Sequence, residues 1–191
     1  MSRADVFRDQ STLIGSMVRL EPQTERHFDG IWAMLADEES KKLTGTHRTF
    51  TEDEIRNWLR TRADHHDRAD WAVVRREDDR VLGEVVLNDL DPDNDSASFR
   101  IGLGGPGAIG RGHGTEATRL VLAYAFDVVG LHRLELEVFD FNTRARHVYE
   151  KCGFVVEGVR RQALKWDGER HDALVMAVLA TDPRPRPAGA A

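Results

Sequence analysis

The chain has 191 residues, of which 40% are hydrophobic and 31% are charged, and its formal net charge at pH 7 is -6. This composition suits one globular domain, and the negative charge argues against a general nucleic-acid binder. The single cysteine, Cys152, excludes an internal disulfide. No apolar run approaches the roughly 20 residues that span a bilayer, and the N-terminus shows no signal-peptide core. We therefore expect a cytoplasmic protein with no nucleic-acid or membrane partner.

The first half of the chain predicts one strand, two helices and two further strands. Residues 17–24, "MVRLEPQT", predict a strand that stops at Pro22. Thr24 is placed to cap a helix that runs to residue 37, and Thr51 with Glu54 has the capping-box spacing of a second helix. "DWAVVRR" and "RVLGEVVLNDL" then predict two strands, and "DPDND" predicts a turn.

The second half predicts alternating strands and helices. "SASFRIGL" predicts a strand that leads into a glycine-rich loop, and an amphipathic helix is predicted over residues 115–129 with Gly130 at its C-terminus. "LHRLELEVFD" predicts a strand, "TRARHVYEKC" a short helix, and Asp167-Gly168 a hairpin turn between two strands. This order predicts an α/β (α+β) fold with a mixed central sheet flanked by helices. We expect an N-terminal extension over residues 1–16, one domain over 17–180 and a disordered tail over 181–191.

The glycine-rich loop "GGPGAIGRGHG" admits three phosphate-binding interpretations. Gly105, Gly107 and Gly110 satisfy the dinucleotide fingerprint, but no second βαβ unit lies upstream. A P-loop needs lysine and serine or threonine where His113 and Gly114 stand.

The third interpretation is a pyrophosphate cradle made of backbone alone. Gly110, Gly112 and Gly114 alternate immediately before the predicted helix. Their missing side chains let an anion approach the main-chain N–H groups and the positive end of the helix dipole. The sequence therefore favours this cradle, which needs no metal, over a flexible connection without a ligand.

Three segments carry a family resemblance: "IGRGHGTEATRLVLAYAF", "LHRLELEVFDFNTRARHVYEKCGF" and "WDGERHDALVMAVL". Together they resemble the GCN5-related N-acetyltransferases (GNAT), and among them the branch that acetylates ribosomal-protein N-termini. The resemblance covers about residues 17–179. It implies the GNAT fold, with a mostly antiparallel sheet. It also implies direct transfer of an acetyl group from acetyl-CoA to a primary amine in a ternary complex.

The resemblance also implies a set of cofactor-binding residues. The family's loop pattern, Gln/Arg-x-x-Gly-x-Gly/Ala, falls on residues 109–114, where Ile109 departs from its first position. Arg111 is interpreted equally well as a charge contact or as a solvated loop arginine. Asn142 is expected to bond the pantetheine arm, to cap a helix, or to do both. The residues expected at acetyl-CoA are Leu103, Ile109, Gly110, Arg111, Gly112, His113, Gly114, Thr115 and Asn142.

Acetyl transfer needs a proton for the leaving thiolate and a base for the amine. By the resemblance, Tyr149 is the acid, with a packing tyrosine as the alternative. Glu137 matches the position of a glutamate base in the ribosomal branch, and alternation places it on one strand face with Glu135. A solvent-facing or ion-paired Glu137 is the alternative, with Glu84 or a water chain as the base.

Several choices stay open at this point. We interpret "DHHD" at residues 64–67 as surface rather than a metal site, and Cys152 as packed rather than nucleophilic. A catalytically silent CoA-binding module and a dinucleotide-binding oxidoreductase are the rival functions. The acceptor is open among protein N-termini, polyamines, aminoglycosides and amino acids, and a homodimer is also open.

Overall fold

The structure is a computed structural model that describes residue 7 and residues 10–65, 67–105 and 107–185, without the side chain of Ala63. Within these residues the chain forms one eight-stranded sheet and five α-helices. The strands are β1 (Leu13–Ile14), β2 (Val18–Pro22), β3 (Ala69–Arg75), β4 (Val81–Asp91), β5 (Ser96–Leu103), β6 (Arg133–Phe139), β7 (Val155–Trp166) and β8 (Glu169–Leu179). The helices are α1 (Phe28–Ala36), α2 (Glu38–Thr44), α3 (Glu52–Thr61), α4 (His113–Ala123) and α5 (Thr143–Lys151).

The sheet is mixed and mostly antiparallel, as the sequence predicts. Its strand order is β1-β2-β3-β4-β5-β6-β8-β7. Every neighbouring pair is antiparallel except β5 and β6, which are parallel. The parallel pair lies inside the sheet, and the connection between its strands contains α4, as parallel pairing requires.

Helices cover both faces of the sheet. The larger apolar cluster packs α4 and α5 onto one face, and its fully buried members include Trp71, Phe99, Leu134 and Met176. A smaller cluster joins α1 to α3 through Phe28, Ile31, Ile55 and Leu59. One face of α1 is therefore directed to the protein interior.

Several local predictions agree with the structure. Thr51 and Glu54 form the reciprocal capping box at the start of α3. Gly130 ends a six-residue π-helix, Tyr124–Val129, in the left-handed conformation with φ 76°. Asp167 and Gly168 both have positive φ, as a type I′ hairpin turn requires.

Other boundaries differ from the sequence prediction. The helix after the glycine loop begins at His113, two residues earlier than expected, and its last turns are π-helical. Neither α2 nor β1 was predicted. β1 lies within the expected extension over residues 1–16 and pairs with β2.

The expected tail is described only in its first part. Arg184 donates to the carbonyl oxygen of Ala180 at 3.0 Å and to Asp127 at 2.8 Å. Residues 186–191 lie outside the described residues. In the described part of the chain, no helix has the length and apolar character needed to cross a membrane.

Candidate active site

The parallel strands β5 and β6 separate partway along their length. Their paired residues end at Ser98 and Glu135, although β5 continues to Leu103 and β6 to Phe139. A cavity of about 830 Å³ lies in this gap and is lined by residues of both strands. The volume is typical of a site for a small molecule or a cofactor.

The gap joins the two faces of the sheet, because successive side chains of a strand point to opposite sides. A Cβ atom at Gly102 would lie 3.0 Å from the sulfur of Met34, so Gly102 faces α1. Phe99, three residues earlier, packs its ring against Tyr149 of α5, with 6.2 Å between the ring centroids. Ligands that approach from opposite faces can therefore meet in the gap.

The loop before α4 presents the N-terminus of that helix to the cavity. Gly112 is the N-cap residue, in the left-handed conformation with φ 88°, and it has no side chain with which to cap the helix. Gly110 has φ 80°, and a Cβ atom there would meet nothing within 4 Å. The first N–H groups of α4 are therefore free of a side-chain cap and can bind an anion.

Most of the residues predicted to bind the cofactor line this cavity. They are Leu103, Ile109, Gly110, Gly112, Gly114, Thr115 and Asn142. Arg111 and His113 are not among its lining residues. Arg111 is exposed, whereas His113 is buried with its Nδ1 at 3.3 Å from the carbonyl oxygen of Ala108. The role of each residue toward the cofactor remains a prediction.

Asn142 connects two helices at the edge of the cavity. Its Oδ1 accepts a hydrogen bond from the backbone N–H of Ala145 at 3.2 Å, which caps α5 as expected. Its Nδ2 donates to the carbonyl oxygen of Leu43 in α2 at 3.4 Å. Asn142 thereby holds α2 next to the start of α5.

Tyr149 lies on α5 with its side chain buried and lining the cavity. Its ring packs against Phe99 and Phe154. Burial, reinforced by the neighbouring Cys152, raises the pKa of Tyr149 above its ordinary value. The phenol therefore stays protonated at neutral pH, as a proton donor must.

Glu137 lies on β6 and also lines the cavity. It shares a strand face with Glu135, whereas Leu136 and Val138 are buried, as alternation predicts. Its side chain is 43% exposed and forms an ion pair with Arg160 of β7. One of its oxygens is therefore already engaged by a guanidinium group.

Glu84 lies on β4, opposite Gly102, and faces α1. Gln23 donates a hydrogen bond to its Oε2 at 2.9 Å. Burial raises the pKa of Glu84, and the nearby Asp70 adds to this effect. A raised pKa brings a carboxylate closer to the operating pH of a general base.

A second, smaller cavity connects Glu84 with the gap. It has about 40 Å³ of space, which is enough for water. It shares five lining residues with the larger cavity, namely Thr44, Thr46, Arg100, Ile101 and Gly102. Glu84 therefore lies next to the gap, on the face opposite Tyr149.

Sequence reasoning missed the contribution of α2. Ser40, Leu43 and Thr44 of this helix line the larger cavity. Its signals were present: Asp37 accepts a hydrogen bond from the N–H of Ser40, and Gly45 is a left-handed C-cap. The helix is too polar to show an apolar period, so only these caps could have revealed it.

Charged side chains of both signs line the cavity. Arg144 and Lys151 of α5 contribute positive charge. Glu135 and Glu137 contribute carboxylates from β6, each paired with an arginine, and Arg100 of β5 also lines the cavity. The helical side thus suits a phosphate-bearing ligand, whereas the strand side carries both signs.

Two groups considered in the sequence analysis, the thiol of Cys152 and His65 of "DHHD", are not among the residues that line this cavity. Cys152 is buried, and burial raises the pKa of its thiol to about 11, which disfavours a nucleophilic thiolate. In "DHHD", His65 is exposed and His66 lies outside the described residues. Among the described residues, no group of three or more His, Cys, Asp or Glu side chains could hold a metal ion.

Comparison with known proteins identifies the class. Residues 18–155 match the family model described as an acetyltransferase (GNAT) domain. The chain is 31% identical over 157 residues to the probable N-acetyltransferase YjcK of Bacillus subtilis, covering 82% of this chain and 83% of that protein. The chain therefore belongs to the GNAT family, and it is an acetyl-CoA-dependent N-acetyltransferase.

Further relatives bear other names. Over 113 residues the chain is 32% identical to the spermidine N(1)-acetyltransferase of Escherichia coli strain K12, covering 59% of this chain and 60% of that protein. It is 28% identical over 150 residues to the putative ribosomal N-acetyltransferase YdaF of Bacillus subtilis, covering 78% and 77%. These names do not separate the ribosomal branch from others, so the branch remains a prediction.

Solved structures give the same fold. A GCN5-related N-acetyltransferase from Brucella melitensis superposes with a TM-score of 0.73 at 30% identity, covering 90% of this chain and 79% of that one. The spermidine N-acetyltransferase from Vibrio cholerae, in complex with CoA and spermine, reaches 0.80 at 23% identity, covering 87% and 98%. Membership of the GNAT family favours the acetyl-CoA interpretation of the glycine loop over the dinucleotide-binding and P-loop interpretations, and the role of the loop remains a prediction.

Proposed function

We propose that the acetyl group passes directly from acetyl-CoA to a primary amine in the gap between β5 and β6. The observation that supports this most is the connection of the two sheet faces through that gap. Tyr149 lines it from the α4–α5 face, and Glu84 adjoins it from the α1 face. Acetyl-CoA would occupy the first side, with its pyrophosphate at the N-terminus of α4, and the amine would occupy the second.

The roles of the side chains follow from the bonds that change. The amine nitrogen attacks the thioester carbon, and the C–S bond then breaks. The nitrogen loses a proton to a base, and the leaving thiolate receives the phenolic proton of Tyr149. Cys152 has no role in this scheme, because the acetyl group never bonds to the protein.

The base we propose is Glu84, acting through water in the smaller cavity. The hydrogen-bond partner of Glu84, Gln23, is neutral, and burial raises the pKa of Glu84. Glu137, the base expected from the sequence, is the rival. It lines the gap directly, but its carboxylate is engaged by Arg160.

The pH dependence of kcat/KM separates the two carboxylates. Glu84→Gln is expected to lower kcat/KM roughly 10²–10³-fold at neutral pH, within the range for loss of a general base. The loss should shrink between about pH 7 and 9.5, because an amine with a pKa of about 8 to 10 then deprotonates without help. Initial rates of thiol release across this range measure both effects.

Glu137→Gln is the matched control, since it makes the same chemical change on a nearby strand. Its profile should run parallel to that of the wild type. If Glu137→Gln shows the pH-dependent loss of kcat/KM and Glu84→Gln runs parallel to the wild type, Glu137 is the base. If neither variant changes the profile, no carboxylate acts as base, and the amine enters neutral or loses its proton to a water chain.

The acceptor is a primary amine, and we propose its chemical class from the charged side chains that line the cavity. Asp89, Glu135 and Glu137 line the larger cavity and favour an amine with further positive charge. Such an amine would compete with Arg133 and Arg160 for the two glutamates. Spermidine and peptides with free N-termini, the acceptor types that the relatives' names suggest, are the first to screen. The homodimer and the cytoplasmic location remain predictions.

A further inference from the structure

Gln23 is a buried glutamine directly after β2, and its side chain contacts Glu84. Only 5% of the residue is exposed. Its Nε2 donates to Glu84 Oε2 at 2.9 Å, and its Oε1 is buried with no hydrogen-bond partner among the described residues. A buried amide oxygen without a partner destabilises the fold, so stability alone does not explain this glutamine.

The backbone of Gln23 is fixed from both sides. Its N–H donates to the carbonyl oxygen of Asp70 in β3 at 3.0 Å. Pro22 before it is paired with Trp71, and Thr24 after it is the N-cap of the 3-10 turn Glu25–His27. The amide is therefore held against the carboxyl group of Glu84.

A primary amide can serve a carboxyl group in both of its protonation states. The NH₂ group donates to the ionised carboxylate, as in this structure. When the carboxyl is protonated, its O–H can donate to the amide oxygen after the amide rotates by half a turn. The unpaired Oε1 of Gln23 is the acceptor that this second state requires.

We propose that Gln23 is the positioning residue of Glu84, keeping its carboxyl group directed at the smaller cavity both before and after it takes the proton of the amine. This inference rests on the proposed function, because it assumes that Glu84 is the base. Gln23 touches no substrate in this scheme and acts only through Glu84.

Both charged and apolar groups surround Glu84. Asp70 of β3 raises its pKa, whereas Arg100 of β5 and Arg68, just before β3, lower it. Arg62, from the 3-10 turn Arg62–Asp64, is ion-paired with Asp70 at 3.0 Å. From α1, Met34 and Leu35 line the smaller cavity and bring no charge.

Removing the amide should therefore move the pH at which Glu84 titrates. The hydrogen bond that Gln23 donates to the ionised carboxylate is charge-assisted and stronger than the one it can accept from the neutral carboxyl, so loss of the amide lets burial raise the pKa of Glu84 further. The acid limb is the part of the pH profile in which kcat/KM rises as Glu84 ionises. In Gln23→Leu we expect the midpoint of this limb to move to higher pH by about one unit. Activity should fall most at the acid end and recover toward high pH.

Three further variants sharpen the test. Gln23→Glu places a like charge beside Glu84 and should move the limb in the same direction and further. Gln10→Leu is the matched control: the Oε1 of Gln10 accepts from the N–H of Asp70 at 3.2 Å, so its loss disturbs the same region without touching Glu84. It should leave the limb in place. If the shorter leucine side chain of Gln23→Leu prevents folding, Gln23→Met is used in its place.

The outcomes distinguish this inference from the proposed function. A limb that Glu84→Gln replaces with one at the pKa of the amine, and that Gln23→Leu and Gln23→Glu shift upward, supports both. If Glu84→Gln replaces the limb in this way but neither Gln23→Leu nor Gln23→Met moves it, Gln23 has no positioning role and Glu84 stays the base. If Glu84→Gln leaves the limb intact, the assignment of the base fails, and the inference about Gln23 fails with it.

Discussion

Replacing Tyr149 with phenylalanine should lower kcat roughly 10²–10⁴-fold at neutral pH, the usual range for loss of a general acid. The phenyl ring keeps its contacts with Phe99 and Phe154, so stability should hardly change. The KM for acetyl-CoA should also change little, because the lost hydroxyl acts on the thiolate that forms during the reaction. Thiol release with a verified acceptor measures kcat, and thermal unfolding monitors the fold.

Tyr124→Phe is the matched control, because Tyr124 is the other of the two tyrosines in the chain. It is buried, packs edge to face on Trp71, and does not line the cavity. Removal of its hydroxyl should leave kcat within about threefold of the wild type. Tyr149 is only a packing residue if its phenylalanine variant behaves in the same way.

Replacing Glu116 with alanine should destabilise the protein by about 2–4 kcal/mol, because one buried and two partly buried backbone donors lose a charged acceptor. Glu116, in the first turn of α4, accepts from the N–H groups of Ser16, Met17 and Val18, each at 2.8 Å, and from the Ser16 hydroxyl. The chain approaches so closely that a Cβ atom at Gly15 would lie 2.6 Å from Glu116. Urea unfolding measures the loss.

The destabilisation should depend on pH. Burial opposes ionisation of Glu116, but the hydrogen bonds from Ser16, Met17 and Val18 outweigh it and lower the pKa below the ordinary value of a glutamate. A carboxylate whose pKa is lower in the folded state stabilises the fold at pH values above its unfolded pKa. This contribution is lost as the pH falls through the pKa of the folded state. The difference between wild type and Glu116→Ala should therefore be full at pH 7 and shrink below about pH 4.5.

Glu150→Ala is the control for this variant. Glu150 is exposed on α5 and, among the described residues, its side chain pairs with Arg146 of the same helix alone, at 2.8 Å. Its loss should change the unfolding free energy by less than about 0.5 kcal/mol. If Glu116→Ala costs no more than this control, the link between α4 and the chain before β2 contributes nothing to stability.

Local chemistry explains which parts of the fold the sequence predicts. The capping box of Thr51 and Glu54 and the turn at Asp167-Gly168 each depend on neighbours a few residues apart. The start of α4 was placed two residues late, because its N-cap is a glycine with no side chain to mark it. The helix α2 was missed because it has no apolar period.

The site was predictable only where a motif is contiguous. The glycine loop and Tyr149 lie in continuous segments that carry the family resemblance, and both line the cavity. The partners of the carboxylates are distant in sequence: Gln23 is 61 residues from Glu84, and Arg160 is 23 residues from Glu137. Sheet topology brings these pairs together, and no local sequence pattern predicts such contacts.

The most direct test of the account is a two-substrate analysis of initial rates. Acetyl-CoA and an accepted amine are each varied at several fixed concentrations of the other, and thiol release is followed. Direct transfer in a ternary complex predicts double-reciprocal lines that intersect, and no acetylated protein after incubation with acetyl-CoA alone. Parallel lines, together with a protein mass raised by one acetyl group, would contradict it, because they are the signature of a covalent intermediate.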